Sequence, residues 1–221
     1  WCFDDIPSTM ISNRLVNNIV LEIKKNLIQE GKFDSIIYQI YRDIINHFKK
    51  KQNFSEVYYV ERGDEYAEFE VKCEFEEKRR FNHPFSIDAE ADFDEINIVI
   101  TYRPEDFPKS MVDFTAELKE TITHEVEHIG QHNFEDMYLG PEKHLNNFEY
   151  LTSPSEIPAY VKGLISRAQF KKITLTSAME EWFEENKLKF DNPTKEWPKV
   201  KKIWLDYANE MRIRNKVKKF R

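Results

Sequence analysis

Cysteine is nearly missing from this sequence: Cys2 and Cys73 are the only two in 221 residues, and they lie far apart. That excludes a disulfide framework and any cluster of thiolates around a metal, so histidine and carboxylate are the ligands available. Long apolar runs are missing too. No stretch approaches the ~20 residues a membrane span requires, and the opening WCFDDIPSTM has neither the basic start nor the apolar centre of a secretory leader. These absences predict a soluble or reducing compartment with no membrane contact, although a first residue of Trp in place of Met leaves room for a leader already removed. Internal repeats, low-complexity segments and long linkers are also lacking, which favours one domain over residues 1–221.

What is present is enough to fold. Hydrophobic residues make up 40% of the chain and aromatics 14%, sufficient for one sizeable core. The net charge of −7 is unevenly spread. From Lys199 to Arg221 nine Lys/Arg face only Asp206 and Glu210, a local charge of +7 that leaves −14 on the first 198 residues. A body so acidic repels a phosphate backbone and argues against a nucleic-acid partner. The basic end has Ile203, Trp204, Tyr207, Met211 and Val217 at helical spacing. It reads as a docked amphipathic helix, with an acidic partner as the alternative occupant of its charged face.

Periodicity divides the chain into four stretches. Residues 1–53 carry two helices. The first, over 9–30, has Ile11, Leu15, Ile19, Ile23 and Leu27 four apart, and the second, over 35–50, has a broad Ile-rich face. Residues 54–104 switch to a period of two and read as two hairpins. One pairs 57–61 with 67–76 around Arg62-Gly63-Asp64, and the other pairs 85–93 with 96–102; Pro104 and Pro108 then stop the pairing. Residues 110–170 return to helix, broken at Gly140-Pro141 and followed by a loop through about Thr152 and a helix near 155–170. Residues 171–221 supply helices near 175–190 and 199–218. The predicted fold is α+β, a mostly antiparallel sheet packed on the central helix with further helices at both ends.

That central helix contains TITHEVEHIGQHNF, residues 121–134. Residues four apart on a helix differ by ~40° in direction and ~6 Å in rise, so His124 and His128 share one face and can meet on a single tetrahedral ion. Glu125 follows the first histidine. In H-E-x-x-H sites this glutamate is not a ligand; it takes a proton from the attacking water and returns it to the leaving amine. From this composition about 0.02 matches to the pattern arise by chance, so a metal site outweighs a merely His- and Glu-rich helix. His132 lies ~12 Å along the axis from His124, too far for both to bind one ion on an unbroken helix. It is read as a supporting partner, a surface residue or a cation at the helix end.

The third ligand is sought in TSPSEIPAYVKGL, residues 152–164. Glu156 opens the helix there and would complete a His₂Glu set. Ser153-Pro154-Ser155-Glu156 also fits a capping box, in which Glu156 would only satisfy a backbone N–H. Pro158 counts against that alternative, because a cap at Ser153 would carry it past the first turn. Tyr160, one turn on, faces the same way and is a candidate hydrogen-bond donor to an oxyanion, with His144 and Tyr150 as rivals. Gln131 is placed to orient a ligand. Glu120 and Glu127 are read as solvated helix charges, and His47 and His83 as structural.

At His124-Glu125-Val126-Glu127-His128 and Glu156-Ile157-Pro158-Ala159-Tyr160 the sequence resembles zincin-type zinc metallopeptidases. It is most similar to ImmA/IrrE-like peptidases and to phage- and virus-encoded zincin-like proteins with H-E-x-x-H-x-x-Q and a later P-x-E-I-x-A-Y. The resemblance spans roughly residues 110–170 and leaves the N-terminal helices and the basic C-terminus uncovered. It implies Zn²⁺ on His124, His128 and Glu156, Glu125 as general base, a protein or peptide substrate, and a sheet edge that pairs with an extended peptide. Abundant Lys, Asn, Ile, Glu and Phe suits an AT-rich genome and a viral source, and with it a cytoplasmic or virion-packaged protein. Two functions follow as expectations: a zinc-dependent hydrolase of peptide bonds, or a non-catalytic structural or interaction protein, such as a virion component, on a zincin-like fold.

Overall fold

A computed structural model of the chain describes residues 32–62, 65–134 and 146–218. The helix read over 9–30, the break at Gly140-Pro141 and His144 lie outside the described residues. The architecture is α+β. Backbone contacts group the described residues into two units, one containing those up to Glu90 together with Asp94–Leu118, the other Ala91–Phe93 together with those from Lys119 onward.

The first unit is built on a four-stranded sheet. Helix α1 (Lys32–Lys50) is followed by β1 (Phe54–Arg62), β2 (Glu65–Glu77), β3 (Phe85–Asp92) and β4 (Glu95–Tyr102), in the order β1-β2-β4-β3. Alternation decides which face is buried. In β2, Ala67, Phe69, Val71 and Cys73 point into the core, and in β4 so do Ile96, Ile98, Ile100 and Tyr102. β1 and β2 are antiparallel, from Phe54 opposite Cys73 to Arg62 opposite Glu65. β3 and β4 are joined through Phe93-Asp94, a connection short enough only for an antiparallel pair. The two hairpins meet along β2 and β4, which run parallel with Val71 opposite Ile96 and Cys73 opposite Ile98, so the sheet is mixed.

Helix α1 lays Ile36, Ile40, Tyr41 and Ile44 on this sheet, and Phe48 meets the rings of Phe75 and Tyr102 at 5.3 and 4.9 Å. Each such fully buried aliphatic side chain contributes roughly 1.5–3 kcal/mol. The long helix α2 (Phe107–Phe134) starts in this unit, where Phe114 sets its ring edge-on to Phe85 at 5.3 Å. Pro108, expected only to end the strand pairing, sits in the first turn of α2, where a missing N–H leaves no helical bond unmade.

The second unit holds the rest of α2 with α3 (Asn147–Leu151), α4 (Glu156–Lys171), α5 (Leu175–Asn186), a 3₁₀ turn (Lys187–Lys189) and α6 (Pro193–Lys218). Asn146 and Glu149 form a reciprocal capping box that turns five residues of the expected loop into α3. The core is aromatic. Trp182, Trp197 and Trp204 meet edge-on or tilted, Tyr160 stacks on Trp204 at 5.0 Å, and the Trp204 indole donates to the Leu151 carbonyl at 2.9 Å. The expected docking of the C-terminal helix through Trp204 holds, and α6 begins earlier than read, at Pro193, because Trp197 and Val200 are buried as well. Among the described residues no helix is long and apolar enough to cross a membrane.

Candidate metal centre

The site lies in the second unit, on the later turns of α2 and the first turn of α4. His124 and His128, one turn apart, bring their Nε2 atoms to 3.1 Å. Glu156 reaches toward both, with Oε2 3.3 Å from His124 Nε2 and Oε1 3.4 Å from His128 Nε2. The three side chains are only 12%, 10% and 8% exposed. A tetrahedral ion with ligands at ~2.0–2.1 Å separates them from one another by about 3.3 Å, so the three distances match those around one small cation. Glu156 Oε2 is buried without a hydrogen bond even though His124 Nε2 is so close, an orphaned acceptor that a cation would satisfy. The donor set, two imidazoles and a carboxylate, therefore fits a divalent metal ion.

Gln131 fixes the tautomer of His128. Its amide nitrogen donates to the Ser155 carbonyl at 2.9 Å, and a carbonyl can only accept. The amide oxygen must then face His128 Nδ1, 3.1 Å away, so Nδ1 carries the proton and the neutral ring has its Nε2 lone pair available for an ion. The same amide ties α2 to the residue before Glu156. Burial works against the Glu156 carboxylate, but the His124 and His128 imidazoles outweigh it and hold its pKa at about 2. Burial lowers the His128 pKa and the Glu156 and Glu125 carboxylates raise it, with a net rise.

The capping alternative is half present. Ser153 Oγ accepts the Glu156 N–H at 3.4 Å, yet the Glu156 carboxylate does not return to Ser153, whose N–H goes to the Tyr150 carbonyl at 3.0 Å. Glu156 is free to face the histidines. Glu125 is buried, and burial raises its carboxyl pKa against the lowering effect of the two imidazoles; its carboxylate accepts the backbone N–H of Ala91. A carboxylate next to two candidate ligands, with affinity for a proton raised by burial, is suited to accepting one from water.

Tyr160 rests edge-on against His124 at 4.5 Å between Trp204 and Trp182, and its hydroxyl donates to Tyr150. Tyr150, 38% exposed, donates in turn to the Glu156 carboxylate. Both phenols thus meet a candidate ligand, Tyr160 through its ring on His124 and Tyr150, which the sequence offers as a rival to it, through its hydroxyl on Glu156. His132 stands apart from the triad, stacked on Phe93 at 4.0 Å. Glu120 and Glu127, read as solvated, are buried and paired instead, with Arg167 and Lys162. His47 stacks on Phe54 and His83 meets Phe81 edge-on. Ala91 and Phe93 had no signal in the sequence, because what joins them to α2 is tertiary proximity across more than thirty residues.

No protein-family model, no curated protein and no solved structure matches the chain. What fold and geometry define together is an α+β protein with a His124, His128, Glu156 group that can hold a metal ion.

Proposed function

We propose that the protein is a zinc-dependent peptidase, with His124, His128 and Glu156 holding the metal and Glu125 as the general base. The observation that carries this is the convergence of the three ligand atoms on one point, with a buried carboxylate on the very next residue. Zinc bound there would supply a Lewis acid for the scissile carbonyl and lower the pKa of the attacking water to about 7. Glu125 takes the proton of that water and passes it to the leaving nitrogen. The Ala91 N–H favours the ionised form of the Glu125 carboxylate, the form that accepts a proton. Gln131 holds His128 in the tautomer that binds metal. Tyr150, partly open to solvent and backed by Tyr160, would turn its hydroxyl from Glu156 to a developing oxyanion.

Metal analysis of the purified protein should find close to one zinc per chain, largely lost in His124→Ala. Cleavage of casein or a peptide library should stop with chelator, and Glu125→Gln should lower kcat at least ~10²-fold. A Glu125→Gln protein of full activity would remove the mechanism. Zinc bound without cleavage under any condition, and a melting temperature that falls on chelation, would favour the structural or interaction protein instead.

A further inference from the structure

We propose that Phe93 and His132 form the wall of a substrate pocket that takes a large apolar or aromatic side chain of the peptide next to the scissile bond. The inference rests on the peptidase reading and adds the kind of side chain that the site selects. The Phe93 ring is stacked on the His132 imidazole, centroids 4.0 Å apart and planes 22° from parallel. Asn133 Nδ2 donates both to the Phe93 carbonyl at 3.2 Å and to the Ile129 carbonyl at 2.9 Å, which fastens the turn after β3 to the end of α2. The ring is held, yet Phe93 remains 56% exposed. One face is covered by the imidazole and the rest is open to water, an arrangement that gains by burying a partner against it.

Its position gives that surface a use. His132 follows the ligand His128 by one helical turn, ~6 Å along the axis. Two residues before Phe93, the Ala91 N–H is bonded to Glu125, so one three-residue segment touches both the base and the aromatic wall. Two extended residues span at most ~7 Å. A peptide whose scissile bond lies at Glu125 therefore has a neighbouring side chain within reach of the Phe93 ring. A phenyl ring has no fixed positive charge to pair with a carboxylate, and a cation held over its face gains only about 0.5–1 kcal/mol at an exposed site, less than a large apolar side chain gains by burial. Large apolar side chains complement it best.

The test uses zinc-loaded full-length chain and a peptide library randomised one position at a time, read by mass spectrometry. A separate binding arm measures a fluorescein-labelled Phe-bearing peptide on Glu125→Gln protein by anisotropy. At one position beside the cleaved bond, Phe, Tyr, Leu and Met should be preferred over Ala by about 10-fold or more in kcat/KM, the scale on which a hydrophobic pocket discriminates. Phe93→Ala should shrink that ratio to within roughly threefold and weaken binding of the labelled peptide about 10-fold, whereas Phe93→Trp should restore both. Cleavage without an apolar preference, or a preference that survives in Phe93→Ala, overturns the pocket and leaves the peptidase standing. A wild-type chain that holds zinc and cleaves nothing overturns the peptidase, and the pocket with it.

Discussion

Two neutral imidazoles and a carboxylate bind one ion only if each ring presents a lone pair, and that demand falls on residues outside the ligand set. Gln131 meets it for His128, because the Ser155 carbonyl leaves the amide only one orientation. Gln131→Ala should therefore weaken zinc binding by about 10–100-fold, the usual cost of losing a partner that orients a ligand. Competition against a chromophoric chelator measures this, and unchanged affinity would show that His128 needs no such support. His124, His128 and Gln131 are legible because spacing within one helix fixes which side chains share a face, and the H-E-x-x-H pattern adds Glu125 as a candidate. It left Glu156 ambiguous, since a carboxylate at the start of a helix serves a cap and a metal equally well. Tertiary geometry separates the two: the carboxylate lies 3.3 and 3.4 Å from the imidazoles, and the Ser153 N–H is already bonded to the Tyr150 carbonyl.

At the scale of elements, the site depends on how closely α4 approaches α2. Gly163 marks the contact: a Cβ placed there would lie 2.9 Å from the Glu120 carbonyl oxygen and 3.3 Å from its Cγ. The carbonyl belongs to the helix backbone and cannot rotate aside, so Gly163→Ala must push the helices apart. Helix propensity favours alanine by about 0.8–1 kcal/mol, and overpacking against fixed backbone costs up to ~3 kcal/mol. A net loss of about 2 kcal/mol is expected in denaturant unfolding. Glu156 lies two turns before Gly163 on the same face of α4, so zinc affinity should fall together with stability. A Gly163→Ala protein more stable than wild type would mean that the two helices separate freely. Both hairpins were legible from alternating residues, but the parallel junction of β2 with β4 was not. Each of those strands is apolar on one face, and nothing local states which neighbour it will take. The start of α6 was missed for a similar reason: Trp197 and Val200 become core only once α5 lies against them.

For the whole molecule, no composition change marks a linker, and the sequence accordingly predicts one domain. The two units divided by contact meet in sequence between Leu118 and Lys119, inside α2, where a continuous helix provides no linker to read. All three candidate ligands belong to the second unit. A ligand that binds only the folded state stabilises it by about 4 kcal/mol at a thousandfold excess over Kd, which corresponds to about a thousandfold slowing of exchange through unfolding. Removing zinc should thus speed amide exchange across 119–134 and 146–171. If the units open separately, the amides that pair β1 with β2 keep their protection; if they open as one, protection falls there by the same factor. Hydrogen exchange with and without chelator distinguishes these outcomes residue by residue. Exchange that is unchanged everywhere would mean that the chain holds no metal at all, because a bound ion cannot leave the stability of its own unit untouched.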